Sequence, residues 1–390
     1  MDYLPLIADS ADYPRPNVSL LPTLPRVALL RHVAGQMTNP FLEPGVKFIQ
    51  GRYALLEALR RLEWRPGHAV LMPSCHCRSM VEPAERLGIA VRFYPMTDRL
   101  QPDFSRLAEL VADGMARAML LTHYFGFPND VQEARNFCMA HGLAMIEDCS
   151  HALYSAHESR PLGTFGDFAT ASLWKFLPTR DGAVLLDHRG ASPTRLQPQP
   201  WVAEFKAVAA MARRTATDVT KLPPIDADAL ARATSVLAEV AAARPPRHGR
   251  CSIRPEGVNR AALRASTALS AFYPHGWAMT QRRGLYRRWL DGVTGVAGVL
   301  PLFPELPEGA VPYAFPLLAD SGGRLFHALR LAGIPIWRWE DVACPAMDAC
   351  AVSRSYRTRL LQLPCHQDLS EAAVDWMAGV LRAVAPGVLQ

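Results

Sequence analysis

The sequence predicts an α/β protein, with a mostly parallel sheet between helices in a large domain and a smaller α/β domain after it. Between residues 51 and 150, apolar runs of about five to seven residues alternate with amphipathic segments of about ten to fifteen, which is typical of βαβ units. The length of 390 residues exceeds one ordinary hydrophobic core, which favours a second unit.

Three parts are expected along the chain. Residues 1–45 are Pro-rich and irregular, so we expect an arm that lies over the body. Residues 46–256 form the predicted large domain and residues 257–390 the predicted small one. A long helical stretch is predicted from residue 257 through the segment RRGLYRRWLDGV.

The large domain is predicted to begin with a helix at Gly51, because leucines recur at helical spacing until Arg65-Pro66-Gly67. Further helices are predicted in RSMVEPAERLG, DFSRLAELVADG and DVQEARNFCMAHG. The predicted strands are HAVLMPS (68–74), IAVRFYP (89–95), RAMLLTHYFGFP (117–128), LAMIEDCS (143–150), FGDFATASLW (165–174) and GAVLLD (182–187).

Composition and charge exclude several classes of protein. The net charge is +6, but the basic residues are scattered, which is no nucleic-acid footprint. No apolar stretch of about 18 residues predicts a membrane span, and MDYLPLIADSADYPRPN lacks the pattern of a signal peptide. The eight cysteines include no C-x-x-C pair, so reduced thiols in a cytoplasm are expected and a metal site is not.

Chemically active side chains follow the predicted strands, where the loops of a parallel sheet gather functional residues. Lys175 is one of only four lysines and closes an apolar strand, so it is a candidate amine nucleophile; a lysine reaching out to solvent is the alternative. A buried Asp148 needs a cationic partner, and the ring nitrogen of pyridoxal phosphate would supply one. A helix cap or a salt bridge is the alternative for Asp148. The helix start at Gly51 could bind a phosphate.

An ordered series of motifs resembles the DegT/StrS-type aminotransferases. These are pyridoxal-phosphate enzymes of fold type I, known chiefly for aminating nucleotide-linked keto-sugars. The resemblance runs from about residue 48 to 187 and returns more weakly from 257 to the end. It rests on QGRYALLEALRRLEWRPGHAVLMPS, LLTHYFGFPNDV, MIEDCSHAL, PLGTFGDFATAS, GIPIWRW and LPCHQDLS.

The resemblance implies a role for each matching residue. Lys175 would form the Schiff base, Asp148 would pair with the ring nitrogen, and His151 would lie beside the ring hydroxyl. Ser172 would bind the phosphate, together with the turn formed by Gly51, Arg52 and Tyr53. His76 or Cys77 would cover the ring face. Asn259 would reach the phosphate of the neighbouring subunit, which implies a homodimer. Glu147 is expected either to be structural or to tune its neighbour.

The expected reaction is amino transfer from glutamate to a keto or aldehyde acceptor, such as a nucleotide-linked keto-sugar or a specialised metabolite. The chain departs from the family pattern in the shorter Ser172-to-Lys175 spacing and in Arg52, which replaces a threonine. The alternatives are a pyridoxal-phosphate dehydratase, which retention of Lys175 disfavours, and a non-catalytic regulator. A nicotinamide-binding protein is disfavoured because no G-x-G-x-x-G follows a strand.

Overall fold

The computed structural model describes residues 12–24, 39–45, 47–190, 194–212, 219–242, 253–338 and 349–389. Most of the predicted arm and the Pro-rich segment at 243–252 lie outside these ranges. The boundaries predicted near residues 46 and 257 stay predictions.

A six-stranded sheet is built from the predicted βαβ units. Its elements and those between its strands are α1 (Gly51–Arg60), β1 (Ala69–Pro73), α2 (Arg78–Leu87), β2 (Ala90–Tyr94), α3 (Phe104–Val111), β3 (Ala116–Thr122), α4 (Val131–Ala140), β4 (Ala144–Asp148), the short β5 (Ala156–His157) and β6 (Arg160–Pro161), β7 (Phe168–Ser172) and β8 (Ala183–Asp187). The strand order is β2-β1-β3-β4-β7-β8, and only the β7–β8 pair is antiparallel. The predicted mostly parallel sheet is therefore confirmed.

Side chains of the central strands alternate between two apolar clusters, one on each face of the sheet. On β3, Ala118 and Leu120 pack with α1 and α2, whereas Met119 and Leu121 face the opposite cluster. This alternation follows from the two-residue period of a strand, and burial on both faces explains why the strands are nearly all apolar. The polar residues of these strands are consequently displaced to the strand ends.

The described residues after β8 form helices around a second sheet. The elements are α5 (Trp201–Ala212), α6 (Ala227–Ala242), α7 (Arg264–Phe272), α8 (His275–Val293), β9 (Val299–Pro301), β10 (Ala314–Ala319), α9 (Gly322–Leu331), β11 (Trp337–Arg338), α10 (Ala351–Arg359), β12 (Leu360–Pro364) and α11 (Glu371–Val388). The second sheet has the order β11-β12-β10-β9, and all its pairs are antiparallel. Within the described ranges, no helix combines the length and apolar character needed to span a bilayer.

The single long helical stretch predicted from residue 257 is wrong. The structure has α7 and α8 there, separated at Tyr273 and Pro274, with a 3₁₀ turn (Pro255–Gly257) before them. Tyr273 is extended (φ −70°, ψ 142°), as expected for a residue before proline, and proline lacks the N–H that would continue the helix.

The described part of the N-terminal region binds the C-terminal third of the chain. The Tyr13 hydroxyl lies 2.7 Å from His327 Nδ1, and the Thr23 N–H donates to Asp368 Oδ2 at 3.0 Å. His366 Nε2 lies 2.9 Å from the Ser19 carbonyl oxygen. The described residues 12–24 therefore attach to the unit that contains the second sheet, and the arm over residues 1–45 stays a prediction.

A fully buried arginine of α8 connects this unit to the first sheet. Arg282 donates Nε to Gln367 Oε1 (2.7 Å) and Nη1 to the carbonyl oxygens of Pro312 (3.0 Å) and Tyr313 (3.1 Å). Its Nη2 approaches the carbonyl oxygens of Lys175 (3.4 Å) and Phe176 (3.5 Å). The planar, five-donor guanidinium suits such an arrangement of acceptors, whereas a lysine would not.

Replacing Arg282 with methionine should destabilise the protein by about 3 kcal/mol or more, because several buried carbonyl groups would lose their donor. Urea unfolding followed by circular dichroism measures the change. Arg287→Met is the matched control, since Arg287 is an exposed arginine of the same helix, and it should change stability by less than about 0.5 kcal/mol. Equal effects of the two substitutions would contradict the connecting role of Arg282.

Candidate active site

A cavity lies at the carboxyl ends of β3, β4 and β7, against the first turns of α1 and α2. It is lined by Gln50, Gly51, Arg52, Leu55, Cys77, Ser79, Met80, Thr122, Tyr124, Asp148, Ser150, His151, Thr170, Ser172, Trp174 and Lys175. Three adjacent parallel strands end at one edge of the sheet, so their terminal side chains converge there. Seven of the site residues predicted from the sequence, including Cys77, therefore line this one cavity.

Lys175 reaches the cavity through a tight turn rather than from the strand itself. β7 ends at Ser172, and Leu173–Lys175 form one turn of 3₁₀ helix with Ser172 as its N-cap. Residues three apart are eclipsed in a 3₁₀ turn, so Ser172 and Lys175 both line the cavity. The short serine-to-lysine spacing is therefore compatible with one shared site.

The amine of Lys175 lies in an environment that favours its neutral form. Burial lowers the pKa of Lys175, and the charge of Arg52 lowers it further, while Cys77 and Asp148 act in the opposite direction. Its Nζ lies 5.4 Å from the centroid of the Tyr313 ring. A neutral amine is the form that attacks a carbonyl, so this environment suits a nucleophile.

Asp148 ends β4 with its carboxylate directed toward the cavity. The side chain is 7% exposed, and its Oδ1 accepts a hydrogen bond from the Ser150 N–H at 2.9 Å. This single local bond fixes the orientation of the carboxylate. A buried carboxylate lining a cavity is suited to bind a cationic group.

Glu147 precedes Asp148 in sequence but has a structural role. Its two oxygens accept backbone N–H bonds from Gly163 (2.9 Å), Phe165 (2.7 Å) and Gly166 (2.7 Å), and His123 Nε2 lies 3.3 Å away. Burial alone would raise the pKa of Glu147, but the bonds from His123 and the backbone hold it below the usual value. Glu147 therefore anchors the loop before β7, as the sequence suggested.

His123, Glu147 and Cys149 are close enough to raise the question of a metal ion. His123 Nδ1 accepts from the Asn129 N–H at 3.0 Å, so the ring proton lies on Nε2, which donates to Glu147. Neither nitrogen then offers a lone pair, and both Glu147 oxygens are already bonded. This trio is a hydrogen-bonded core cluster rather than a metal site.

The first turn of α1 forms the other end of the cavity. Gln50 provides no side-chain cap. The Tyr53 N–H donates to the Gln50 carbonyl oxygen at 3.0 Å, whereas the first two N–H groups of the helix, those of Gly51 and Arg52, have no acceptor within it. A Cβ on Gly51 would lie 2.7 Å from Ser172 Oγ, so glycine permits the close approach of helix and serine. Ser172 Oγ in turn donates to Ser150 Oγ at 3.2 Å.

Arg52 adds a positive charge that is held in place. Its Nη1 donates to Glu82 Oε2 at 2.9 Å, and Arg78 Nε pairs with the other oxygen of Glu82 at 2.7 Å. Glu82 is fully buried on α2, so its carboxylate lies between two guanidinium groups. Arg52 therefore lines the cavity with a restricted orientation, in the place where the family pattern has a threonine.

His151 lies between two aromatic rings. Its ring stacks on Tyr313 (centroids 4.4 Å apart) and on Phe125 (5.6 Å). Burial, with the nearby charge of Lys175, lowers the pKa of His151 well below its usual value. Phe125 adopts a left-handed backbone (φ 55°), and Tyr313 N–H donates to its carbonyl oxygen at 2.9 Å. His151 is thus a neutral ring fixed at the cavity wall.

The structure does not bring all the predicted residues to the cavity. Of the two residues expected at the ring face, Cys77 lines the cavity, but His76 is buried outside it and stacks on Phe93 (4.4 Å). The expectation for His76 is therefore wrong, because β2 supplies the ring that His76 packs against. The side chain of Tyr53 also points away, and its hydroxyl accepts from the Arg254 N–H at 3.2 Å.

Asn259 is exposed and does not line the cavity of its own chain. Its carbonyl oxygen accepts from the Gln197 N–H at 2.7 Å. Its predicted contact with a neighbouring subunit stays a prediction.

Sequence reasoning missed several residues of the cavity. Thr122, Tyr124 and Trp174 line it. Thr122 is the last residue of the strand RAMLLT, and Tyr124 lies two residues after it. The tyrosine hydroxyl donates to the carbonyl oxygen of Cys75, which fixes the loop that carries Cys77. The position of Thr122 at the end of a buried strand was the available signal.

A smaller space adjoins Lys175 on the side of the second sheet. It is lined by Leu20, Lys175, Tyr313, Ala314, Trp337, Gln362, Leu363, Pro364, Cys365 and His366. Leu20 in this lining comes from the N-terminal segment. Lys175 therefore lines both the main cavity and this second, smaller space.

Comparison with known proteins shows which proteins this chain resembles. Residues 45–184 match the DegT/DnrJ/EryC1/StrS aminotransferase family, which confirms over that segment the resemblance found in the sequence. The matched segment contains most of the residues of the cavity.

Two curated relatives share this segment. The chain is 33% identical over 137 residues to the dTDP-4-dehydro-2,3,6-trideoxy-D-glucose 4-aminotransferase of Saccharopolyspora spinosa, covering 34% of this chain and 35% of that one. It is 29% identical over 137 residues to the UDP-N-acetyl-3-dehydro-alpha-D-glucosamine 3-aminotransferase of Acidithiobacillus ferrooxidans, covering 35% and 36%. The matched region spans only about a third of the length of these relatives.

Solved structures resemble the whole fold. Helicobacter pylori PseC, an aminotransferase involved in the biosynthesis of pseudoaminic acid, superposes with a TM-score of 0.65 over 98% of each chain at 15% identity. The aminotransferase TlmJ from Streptoalloteichus hindustanus gives 0.61 over 88% of this chain and 85% of its own, at 21% identity. The predicted fold class is confirmed.

The environment of Lys175 predicts a pH dependence. Because burial disfavours the charged amine, Lys175 should become reactive toward limiting acetic anhydride at a lower pH than an ordinary lysine. Asp148→Asn should lower this midpoint further, since the carboxylate stabilises the charged amine. Competitive labelling followed by peptide mass spectrometry measures the pH midpoint of Lys175 in the parent protein and in the Asp148 variant. Asp167→Asn, outside the cavity, is the control, and an upward shift in the Asp148 variant would contradict the proposed environment.

Proposed function

We propose that this protein is a pyridoxal-phosphate-dependent aminotransferase. In this proposal it moves an amino group from glutamate to a keto or aldehyde acceptor. One observation carries the proposal: a single cavity combines an amine of lowered pKa, a buried carboxylate and an uncapped helix N-terminus. The family match over residues 45–184 supports it.

The phosphate of the cofactor fits the end of the cavity formed by α1. A helix N-terminus favours an anion through its free N–H groups and its dipole. Gly51 leaves the helix start open toward Ser172, and Arg52 contributes a guanidinium held by Glu82. Gly51, Arg52 and Ser172 would thus bind the phosphate, which is the role that the family resemblance implies for them.

The ring of the cofactor fits the strand ends. Asp148 would bind the ring nitrogen and keep it protonated, which gives its buried carboxylate a cationic partner. When bound, pyridoxal phosphate supplies a conjugated carbonyl and a protonated ring that accept the electron pair released at a substrate carbon. His151 and Cys77 lie on the remaining walls.

Lys175 would perform the proton transfers. Its lowered pKa leaves a larger fraction of the amine neutral, so its Nζ can accept a proton from a substrate carbon and return one to the neighbouring position. The hydrogen bonds from Arg282 to the carbonyl oxygens of Lys175 and Phe176 hold the turn that presents this amine.

The acceptor in this proposal binds in the main cavity, which Lys175 lines. The curated relatives are named as aminotransferases of nucleotide-linked sugars, which supports a keto-sugar acceptor. A dehydratase is a second candidate, since a relative of Saccharopolyspora spinosa at 30% identity over 113 residues is named as a 3-dehydratase. Retention of Lys175 supports the aminotransferase.

The test combines a spectrum with a covalent label. Protein loaded with pyridoxal phosphate should lose the absorbance of the pyridoxal form on addition of glutamate. The absorbance of pyridoxamine phosphate should appear in its place. Borohydride reduction without glutamate should attach the pyridoxyl group to Lys175 alone. Lys175→Ala should abolish both the spectral change and the borohydride label. Lys206→Ala, at an exposed lysine, should change neither of them. A label on another lysine, or an unchanged spectrum, would contradict the proposal.

We also propose a homodimer in which Asn259 contributes to the partner's site. Asn259 is exposed, and α5 presents an exposed apolar face formed by Trp201, Val202, Phe205 and Val208. Such a patch is typical of a surface that another protein covers. A two-fold dimer would use the same surface of both subunits.

The shared site predicts that inactive variants complement each other. Lys175→Ala and Asn259→Ala chains should each be inactive, and their mixture should regain part of the activity through hybrid dimers. Size measurement should give a mass near twice the 43.0 kDa of one chain. A monomer that binds the cofactor tightly would rule out the shared site. The cytoplasmic location stays a prediction, which cell fractionation tests.

A further inference from the structure

Thr122 lines the cavity and carries a buried hydroxyl that has no partner among the described residues. The residue is 5% exposed. Leaving a buried polar group unpaired costs about 1–3 kcal/mol, whereas valine would fill the same shape without that cost. A hydroxyl retained here is therefore suited to bind a group that enters the cavity.

The strand order fixes where this hydroxyl lies relative to the other groups of the cavity. Thr122 ends β3 and is paired in register with Asp148, which ends β4. On the other side of β4, β7 ends at Ser172, which faces the N-terminus of α1. Along the sheet edge, the order is therefore the Thr122 hydroxyl, the Asp148 carboxylate and the candidate phosphate site.

The chemistry of pyridoxal phosphate matches this order. Its ring hydroxyl and its phosphate arm lie on opposite sides of the axis from the ring nitrogen to the carbonyl-bearing carbon. With the nitrogen at Asp148 and the phosphate near Ser172, the ring hydroxyl faces β3. At the described end of β3, Thr122 lines the cavity, and its buried hydroxyl has no partner.

We propose that the Thr122 Oγ–H donates a hydrogen bond to the ring hydroxyl oxygen of the cofactor. The inference rests on the proposed function and adds a cofactor-binding residue to those that the family resemblance implies. Thr122 would stabilise the oxygen in its anionic form, because a donated hydrogen bond favours the charged acceptor.

Thr122→Val tests this contact while preserving the shape of the side chain, and Thr122→Ser retains the hydroxyl. Cofactor is removed from each protein, and the dissociation constant is measured by quenching of tryptophan fluorescence, since Trp174 lines the cavity. Two probes are used: pyridoxal phosphate and its analogue that lacks the ring hydroxyl.

The valine variant should bind pyridoxal phosphate about fivefold to tenfold more weakly than the parent, whereas the serine variant should stay within about twofold. Both parent and valine variant should bind the analogue equally. The pH midpoint of the absorbance of the bound cofactor should also rise in the valine variant, because the ring oxygen would lose a donor and become more basic.

Two outcomes would overturn the inference alone. The valine variant could bind pyridoxal phosphate like the parent, or it could lose affinity for both probes equally, which indicates a role in packing. A parent that binds neither probe would overturn the proposed function and this inference together. Should the valine variant fail to fold by circular dichroism, Thr122→Ala takes its place in the same comparison.

Discussion

The hydrogen bonds of Arg282 are the interaction on which the arrangement of the site depends. A charged group at this depth is stable only if its donors are satisfied, and here the acceptors are neutral oxygens from three separate segments. One of those segments is the turn that ends in Lys175, and another carries Tyr313, whose ring lies against His151. The cation therefore links the turn that ends in Lys175 to the second sheet. Burial lowers the pKa of Arg282 as a consequence.

The two acids at the end of β4 show how one strand serves both stability and chemistry. Successive side chains of a strand point in opposite directions. Glu147 is consequently directed at backbone N–H groups of the loop before β7, where it is fully bonded, whereas Asp148 faces the cavity with a single local hydrogen bond. The rigidity supplied by the first acid keeps β7, and hence Ser172, in place beside the second.

Much of the fold and part of the site could be predicted because they follow from local patterns. Apolar runs fixed the strands, and the residues after those runs, such as Asp148, lie at the sheet edge as a parallel sheet requires. The 3₁₀ turn of Lys175 has no sequence period, and His76 is drawn away by Phe93, which is distant in sequence. Arg282 lies in a run with several other arginines, and only packing shows which of them is buried. The unsatisfied state of Thr122 is likewise a property of its surroundings.

The N-terminal segment has a consequence for the order in which the protein is made. Residues 13–23 bind groups that lie 314 to 347 positions later in the sequence. During synthesis, this segment leaves the ribosome long before its partners exist, while the βαβ units of the first sheet can already pair with their neighbours. The segment that carries Leu20 to the side of Lys175 is thus translated well before its partners and is among the last to reach its final position. A nascent chain would contain all the residues that line the cavity of the first sheet before the wall on the other side of Lys175 is closed.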